Sequence, residues 1–255
     1  QAIRINGDAF AGFRVKFKRF QSYVPQLDEY DYAIEPGTYI NYVLTDNFNP
    51  LVAGVYTVYI KEGSIFGSYD TSIAAFDTGT PASGVTFRFI ARWQVMGIGG
   101  AGGNAGTELV DNEEGFDGGI AFEAHCDVEI DNAVGLIWAG GGGGDGRVYE
   151  YLDFPETVGI IPLPGKGGGG GQGFGTSLGG INRNSLGGTF DYRAASGNST
   201  AAGNYNEENF GGAWGEEGYN ETGRASNAGI AVKTNGFSVT FTAGNNTISI
   251  RGLIT

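Results

Sequence analysis

The sequence predicts an all-β protein in two parts: a β-sandwich over residues 1–96, then a glycine-rich bundle of extended segments over 97–255. Three observations lead there. Of 48 glycines, eight lie in the first 96 residues and the other forty from Gly97 onward. Many short stretches alternate apolar and polar residues with a period of two, the pattern of a half-buried strand. A 3.6-residue apolar period is missing throughout, so almost no helix is expected.

The strands of the first part can be taken in order. Phe13, Val15 and Phe17 alternate with Arg14, Lys16 and Lys18. Further strands are expected at 38–44, 55–61 and 71–76. The clearest covers 85–95, where Val85, Phe87, Phe89, Ala91, Trp93 and Val95 form one face. Turn signals separate them at Glu35-Pro36-Gly37, 46–50, Glu62-Gly63 and Thr80-Pro81. Short strands at this spacing suggest a sandwich, which serves here as a connector domain.

The texture changes abruptly after Met96. Glycine walls are expected at 97–106, 139–146 and 165–175, strands at 119–130, 136–138, 229–234, 237–243 and 247–251, and polar-aromatic loops between. Gly/Ser-rich segments are often flexible linkers, but linkers do not carry Ile137, Trp138, Ile160, Ile161 and Trp214. Collagen is excluded, because there is no Gly-X-Y period and only seven prolines. What remains is a bundle of polyproline-II-like segments. These have no internal hydrogen bonds, so they must pair laterally. Axes that close leave room only for glycine. The spacing of the walls is irregular, so a solenoid of equal repeats is not expected.

Charge excludes one class of partner. Residues 1–96 carry eight Lys/Arg against nine Asp/Glu, and 97–255 carry seven against nineteen, within a formal net charge of −13. So acidic a second part repels phosphate backbones, and nucleic acid is not expected as a partner. No apolar run is long enough to span a membrane as a helix. Cys126 is the single cysteine, so an intrachain disulfide is impossible. Gln1 stands where an initiator methionine would, so a partial or processed chain is expected.

Motifs for chemistry are weak. The run 165–171 lacks the Gly-Lys-Ser/Thr of a phosphate loop. His125 and Cys126 fall on opposite faces by strand alternation and read as structural, so neither a metal nor a cofactor is expected. The acid pairs 113–114, 207–208 and 216–217 read as solvated loop residues rather than glycosidase carboxylates. No catalytic residue is expected.

The loops carry a stronger signal. Tyr149, Tyr151 and Phe154 sit among Glu150, Asp153 and Glu156, and Tyr205, Phe210, Trp214 and Tyr219 sit among four glutamates. Aromatic side chains give large contact area at low entropic cost, which suits recognition loops.

The phrases at 97–106, Gly118-Gly-Ile-Ala-Phe-Glu-Ala124, Val128-Glu-Ile-Asp-Asn132, 135–144, 165–175, 228–236 and Ile250-Arg-Gly-Leu-Ile-Thr255 come in an order that resembles the tip of bacteriophage tail-fibre adhesins. The likeness is to the C-terminal ends of central tail-fibre (host-specificity) proteins and to the distal adhesins of T-even-like phages, and it covers 97–255. It implies a sandwich of polyglycine-II helices at the distal end of the virion's tail. Its connecting loops would recognise a protein or polysaccharide receptor on the bacterial outer surface. It also implies other tail proteins as partners; central fibres of this kind are commonly homotrimers, whereas the T-even-like distal adhesin is a single chain capping a trimeric fibre. Extended chains with exposed lateral groups manage their edges by symmetry or closure, so a homotrimer is expected. The expected receptor contacts are Phe116, Tyr149, Tyr151 and Phe154, with Glu113, Glu114, Glu150 and Asp153 setting polarity and Tyr205, Trp214 and Tyr219 adding a second cluster. If the walls run alternately up and down, loops 107–117 and 147–157 share one end, away from residues 1–96. A structural or antifreeze-like glycine protein is the alternative, and its short uniform repeat is missing. A surface-polysaccharide depolymerase is the other.

Overall fold

The structure, a computed structural model, describes residues 30–106, 113–146, 151–152, 161–162, 171–178, 181–183, 189–193, 197–198, 211–219 and 226–255. Its strands are β1 (Tyr32–Ile34), β2 (Gly37–Ile40), β3 (Tyr42–Val43), β4 (Gly54–Gly67), β5 (Phe76–Asp77), β6 (Val85–Met96), β7 (Phe122–Glu123), β8 (Asp127–Asp131) and β9 (Leu136–Trp138). There follow β10 (Tyr151–Leu152), β11 (Ile161–Pro162), β12 (Thr176–Ser177), β13 (Ile181–Arg183), β14 (Thr189–Arg193) and β15 (Gly197–Asn198). The last four are β16 (Ile230–Lys233), β17 (Val239–Ala243), β18 (Ile250–Arg251) and β19 (Leu253–Ile254). The one helical element among the described residues is a single 3-10 turn, Leu44–Asp46, so the all-β expectation holds. None of the described helices is long and apolar enough to cross a membrane.

Two sheets face each other, and the chain winds around them. The first is eight-stranded, with β1-β4-β6-β8-β17 as its path and β2, β9 and β18 paired alongside. The second has the order β19-β16-β7-β5-β3. Every pairing within these two sheets is parallel. Parallel neighbours need a crossover instead of a tight hairpin, and here each crossover passes through the opposite sheet. The chain climbs a strand of the first sheet, crosses over, descends a strand of the second and returns. The pairs β2/β3, β4/β5, β6/β7, β9/β16 and β18/β19 mark successive rounds.

All crossings from the first sheet to the second start and finish at one end of the coil: at residue 41, at 68 and 75, at 97 and 121, at 139 and 229, and at 252. Those at the other end are 44–53, 78–84, 124–126 and 234–238. The glycine walls are therefore two long excursions from adjacent rounds, both leaving at the same end. The sequence showed no equal repeat because these excursions hide the winding.

The sheets also cross the boundary expected at 96/97. β6 pairs with β8 over Thr86–Ile90 and with β9 over Gln94–Met96, while β5 pairs with β7. One hydrophobic core joins Val58, Ile60, Phe66, Phe87 and Phe89 to Phe122, Val128, Ile130, Ile137 and Val232. Residues up to 96 thus share their core with later strands, because the strands that finish both sheets come after the change in texture.

The core centre is aromatic. Trp93 lies 5.0 Å from Phe76, 5.6 Å from Phe89 and 5.8 Å from Phe122 between ring centroids, spacing that suits tilted and edge-to-face contacts. Its indole N–H donates to buried Asn132 Oδ1 at 3.0 Å. Phe76 and Phe122, partners across the parallel ladder, stack at 5.6 Å.

β6 follows the expected alternation, with Val85, Phe87, Phe89, Ala91, Trp93 and Val95 buried. The turn read at Glu62-Gly63 is instead a bulge within one long strand. Ile60 pairs with Ala91 and Ser64 with Trp93, so β4 holds extra residues there, and Gly63 takes the left-handed φ of 89° that the bulge requires.

Candidate functional site

The end of the coil that carries the long excursions is built from backbone. The first wall runs over 97–106, 113–119 returns beside it, and 139–146 climbs again. Gly97, Gly100 and Gly103 donate N–H bonds to Trp138, Gly141 and Gly144 at 2.9, 2.8 and 2.8 Å. Gly119, Phe116 and Glu113 donate to Ile98, Ala101 and Asn104 at 2.7, 2.8 and 3.0 Å. Gly140, Gly143 and Gly146 donate to Gly119, Phe116 and Glu113 at 3.1, 2.9 and 2.9 Å, which closes a triangle of passes. Each ladder advances three residues per bond, the period of an extended helix with three residues per turn.

Further passes join the same bundle. Residues 171–174 descend, with Gly171 and Phe174 donating to Gly100 and Gly97, and Gly212 donates to Gly142. The pass 215–219 rises beside 139–143, and 226–229 comes back, with Gly229 donating to Gly140. The close approach demands glycine. A Cβ at Gly100 would land on the carbonyl of Phe116, and one at Gly140 on that of Ile98.

Polar side chains tie the passes where glycine runs are interrupted. Asp117 Oδ1 accepts the Asn227 backbone N–H at 2.7 Å and its side-chain amide at 3.2 Å. Buried Asp145 accepts the Gly115 N–H at 2.7 Å. The hydroxyl of Ser226 donates to the Gly143 carbonyl, and that of Ser177 to Gly171. The sequence reading did not single out these residues. Their signal was present, since Asp145 stands alone between Gly144 and Gly146.

The residues expected to meet a receptor fare differently. Glu113 and Glu114 are exposed where the returning wall begins, and the Glu113 carboxylate takes the Asn104 amide at 2.5 Å. Phe116 is 59% exposed, but it lies on the flank of the descending wall and not in a loop, because 113–117 are already bonded into the bundle. Tyr219 is 45% exposed at the top of a rising pass. Tyr151 opens β10, which pairs antiparallel with β11. Tyr149, Glu150, Asp153, Phe154 and Tyr205 lie outside the described residues, as do Phe13, Val15 and Phe17, 165–170 of the third wall, 207–210, and the part of loop 147–157 around 151–152.

Trp214 corrects the expectation for its cluster. It is 4% exposed and packs on Trp138 with ring centroids 5.5 Å apart. The guanidinium of Arg251 covers Trp138 at 4.7 Å from its ring centroid. Here the pass 211–214 comes down to the first sheet, where a large ring is needed to fill the join. Trp214 is a packing residue.

The passes 97–106 and 139–146 run parallel, so Gly106 and Gly146 reach the same end. Residues 107–112 and 147–150 continue from those points. That end is opposite the crossings 44–53 and 78–84.

Comparisons with known proteins complete the description. A solved structure, the crystal structure of the gp37-gp38 adhesin tip complex of the bacteriophage S16 long tail fiber, matches with 24% identity and a TM-score of 0.49, over 78% of this chain and 71% of that one. Among the curated proteins none matches. The family described as phage tail fibre adhesin Gp38 matches residues 35–254, nearly the whole of the described fold. The chain belongs to the phage tail fibre adhesin Gp38 family and is a receptor-binding component of the virion's tail.

Proposed function

We propose that this adhesin meets its bacterial receptor through the segments that continue from the free end of the glycine walls. The surface would comprise Tyr149, Glu150, Tyr151, Asp153 and Phe154, with Glu113 and Glu114 beside them and Phe116, Tyr205 and Tyr219 at its margins. The observation that carries this reading is the parallel course of 97–106 and 139–146, which brings Gly106 and Gly146 to one end. Glycine walls suit the task. A rigid base of backbone bonds lets the loops vary without disturbing the core.

In this reading the opposite end, formed by 44–53, 78–84, 124–126 and 234–238, faces the fibre and its other tail proteins. Leu51 and Val52 lie there, 81% and 69% exposed, the kind of apolar surface that a docking partner covers. Residues before Gly97 act as the connector and those after it as the tip, although both share one core. The homotrimer expected from exposed lateral groups loses that motive, because the walls bond to one another within the chain. We take one chain as the folding unit.

The role is binding without bond cleavage. Glu113 and Glu114, and likewise Glu216 and Glu217, are exposed sequence neighbours, whereas glycoside hydrolysis uses carboxylates on two sides of a scissile bond. Replacing Tyr149, Tyr151 and Phe154 together by Ser tests the site. Phage carrying that variant should assemble normally and lose adsorption to their host. Adsorption at the parent rate would place the contact surface elsewhere.

A further inference from the structure

On the outer face of the second sheet, at the end away from the walls, the strand ends gather three groups of different chemistry. Asp77 and Glu123 are direct cross-strand partners on β5 and β7, and Lys233 on β16 is the partner of Glu123. His125, the single histidine of the chain, follows two residues after Glu123 in the turn to β8. Its Nε2 lies 3.5 Å from Asp77 Oδ1 and 3.5 Å from Glu123 Oε1. One donor atom from each of the three residues falls within 4.8 Å of the others.

Two features of this arrangement point to an ion beyond the direct pairing. The imidazole-to-carboxylate distances exceed the ~2.7–3.2 Å of an N–H···O hydrogen bond, although both carboxylates converge on one nitrogen. They match the separation of neighbouring ligands around one ion, ~3.3 Å for a tetrahedral centre with bonds near 2.0–2.1 Å. In addition, adjacent like charges in a ladder destabilise it, and Lys233, with Nζ 2.8 Å from Glu123 Oε1, supplies one positive charge against two carboxylates.

We propose that Asp77, Glu123 and His125 bind a divalent transition-metal ion of the zinc class. One imidazole nitrogen with two carboxylate oxygens is a donor set that zinc accepts, usually with water completing the coordination. Imidazole disfavours magnesium and calcium, which prefer oxygen alone. The surrounding bonds hold the ligands in place: the Gly79 N–H donates to Asp77 Oδ1 at 2.7 Å, the Asn235 amide to Glu123 Oε1 at 2.9 Å, and the His125 backbone N–H to Thr78 Oγ1 at 2.8 Å. The ion would join β5, β7 and the turn 124–126 into one unit. Lys233 is its competitor, since its ammonium already occupies Glu123.

The test uses the full chain, stripped of metal by a chelator and titrated with zinc chloride, with magnesium chloride as the comparison. Calorimetry is expected to show one zinc bound per chain and thermal unfolding to rise with zinc and not with magnesium. His125→Asn should weaken zinc at least tenfold, and Lys233→Gln should tighten it several-fold. Cobalt chloride added to the parent chain should give the visible absorption of a site with one imidazole, which reports the ligands without any substitution and covers the case of a variant that fails to fold. Zinc bound equally by parent and His125→Asn, an unchanged affinity in Lys233→Gln, or cobalt absorption no different from the free ion would each overturn the site.

Discussion

A side chain at Gly142 would meet the Ser226 carbonyl at 2.5 Å and the Ser226 hydroxyl oxygen at 2.7 Å, both fixed by bonds to neighbouring passes. Gly142→Val therefore should destabilise the protein by well over the ~0.5 kcal/mol of an ordinary surface change. Gly54→Ala is the fitting control, because its new methyl would find only the Tyr56 ring at 3.5 Å. Equal melting temperatures for Gly142→Val and the parent would refute steric exclusion at this position. Tyr42 provides a second test at this scale. Burial, then a hydrogen bond with Tyr32, holds its phenol well above the ordinary value of 10.0. A pKa raised in the folded state means that the proton is held more firmly when folded. The resulting stability is fully present below about pH 10 and is lost as pH rises beyond it. Alkaline titration followed by phenolate absorbance should show one tyrosine ionising only together with unfolding, and that component should vanish in Tyr42→Phe. A parent curve in which every tyrosine ionises before the fold is lost would count against it. Single residues were only partly legible in the sequence. The glycines announced close backbone approach, but an indole in a polar loop looked like a contact residue until its neighbour Trp138, far away in sequence, was placed beneath it.

Elements with a clean two-residue period could be read in advance, because alternation alone decides which face is buried. β6 and β17 are cases of this, and β9 and β16 lie within their expected ranges. Elements whose form depends on a partner strand could not. Nothing local to Glu62-Gly63 says that β4 continues beyond it, since the bulge exists only relative to the spacing of Ala91 and Trp93. The expected strand at 71–76 shrinks to Phe76–Asp77, because that stretch spends itself crossing from one sheet to the other. Phe76 carries much of the joint between the sheets, touching Tyr42, Phe66, Phe89, Trp93 and Phe122. Phe76→Ala leaves a cavity among these rings and should cost about 3–5 kcal/mol. Denaturant melts by tryptophan fluorescence give the measurement. A cost below 1 kcal/mol would mean that the sheets are held together elsewhere.

At the scale of the molecule, composition and winding pull in different directions. The change of texture at Gly97 looks like a domain boundary, because glycine density is visible in the sequence while strand pairing across distant segments is not. The core ignores that boundary: Phe87 pairs with Val128, and Val128 with Val239, so the first sheet is complete only when strands from both sides have joined. Residues 97–255 alone would lack β4 and β6, leaving β8 without a neighbour on one side and its buried Val128 and Ile130 facing water. That fragment is expected to be insoluble or unfolded, and the full chain is expected to melt in one cooperative transition. Separate calorimetric transitions, or a soluble fragment with native-like circular dichroism, would restore an independent tip domain. The same internal pairing bears on the oligomeric state. Exposed strand and wall edges are what fibres manage by symmetry, and here the passes satisfy one another: 97–106 is bonded to 113–119, to 139–144 and to 171–174, all in one chain. A wall already surrounded by its own chain gains nothing from two further copies. Light scattering on the purified protein should therefore return the single-chain mass of 26.7 kDa. A mass three times larger would show that the lateral bonds within one chain leave an edge that only symmetry closes.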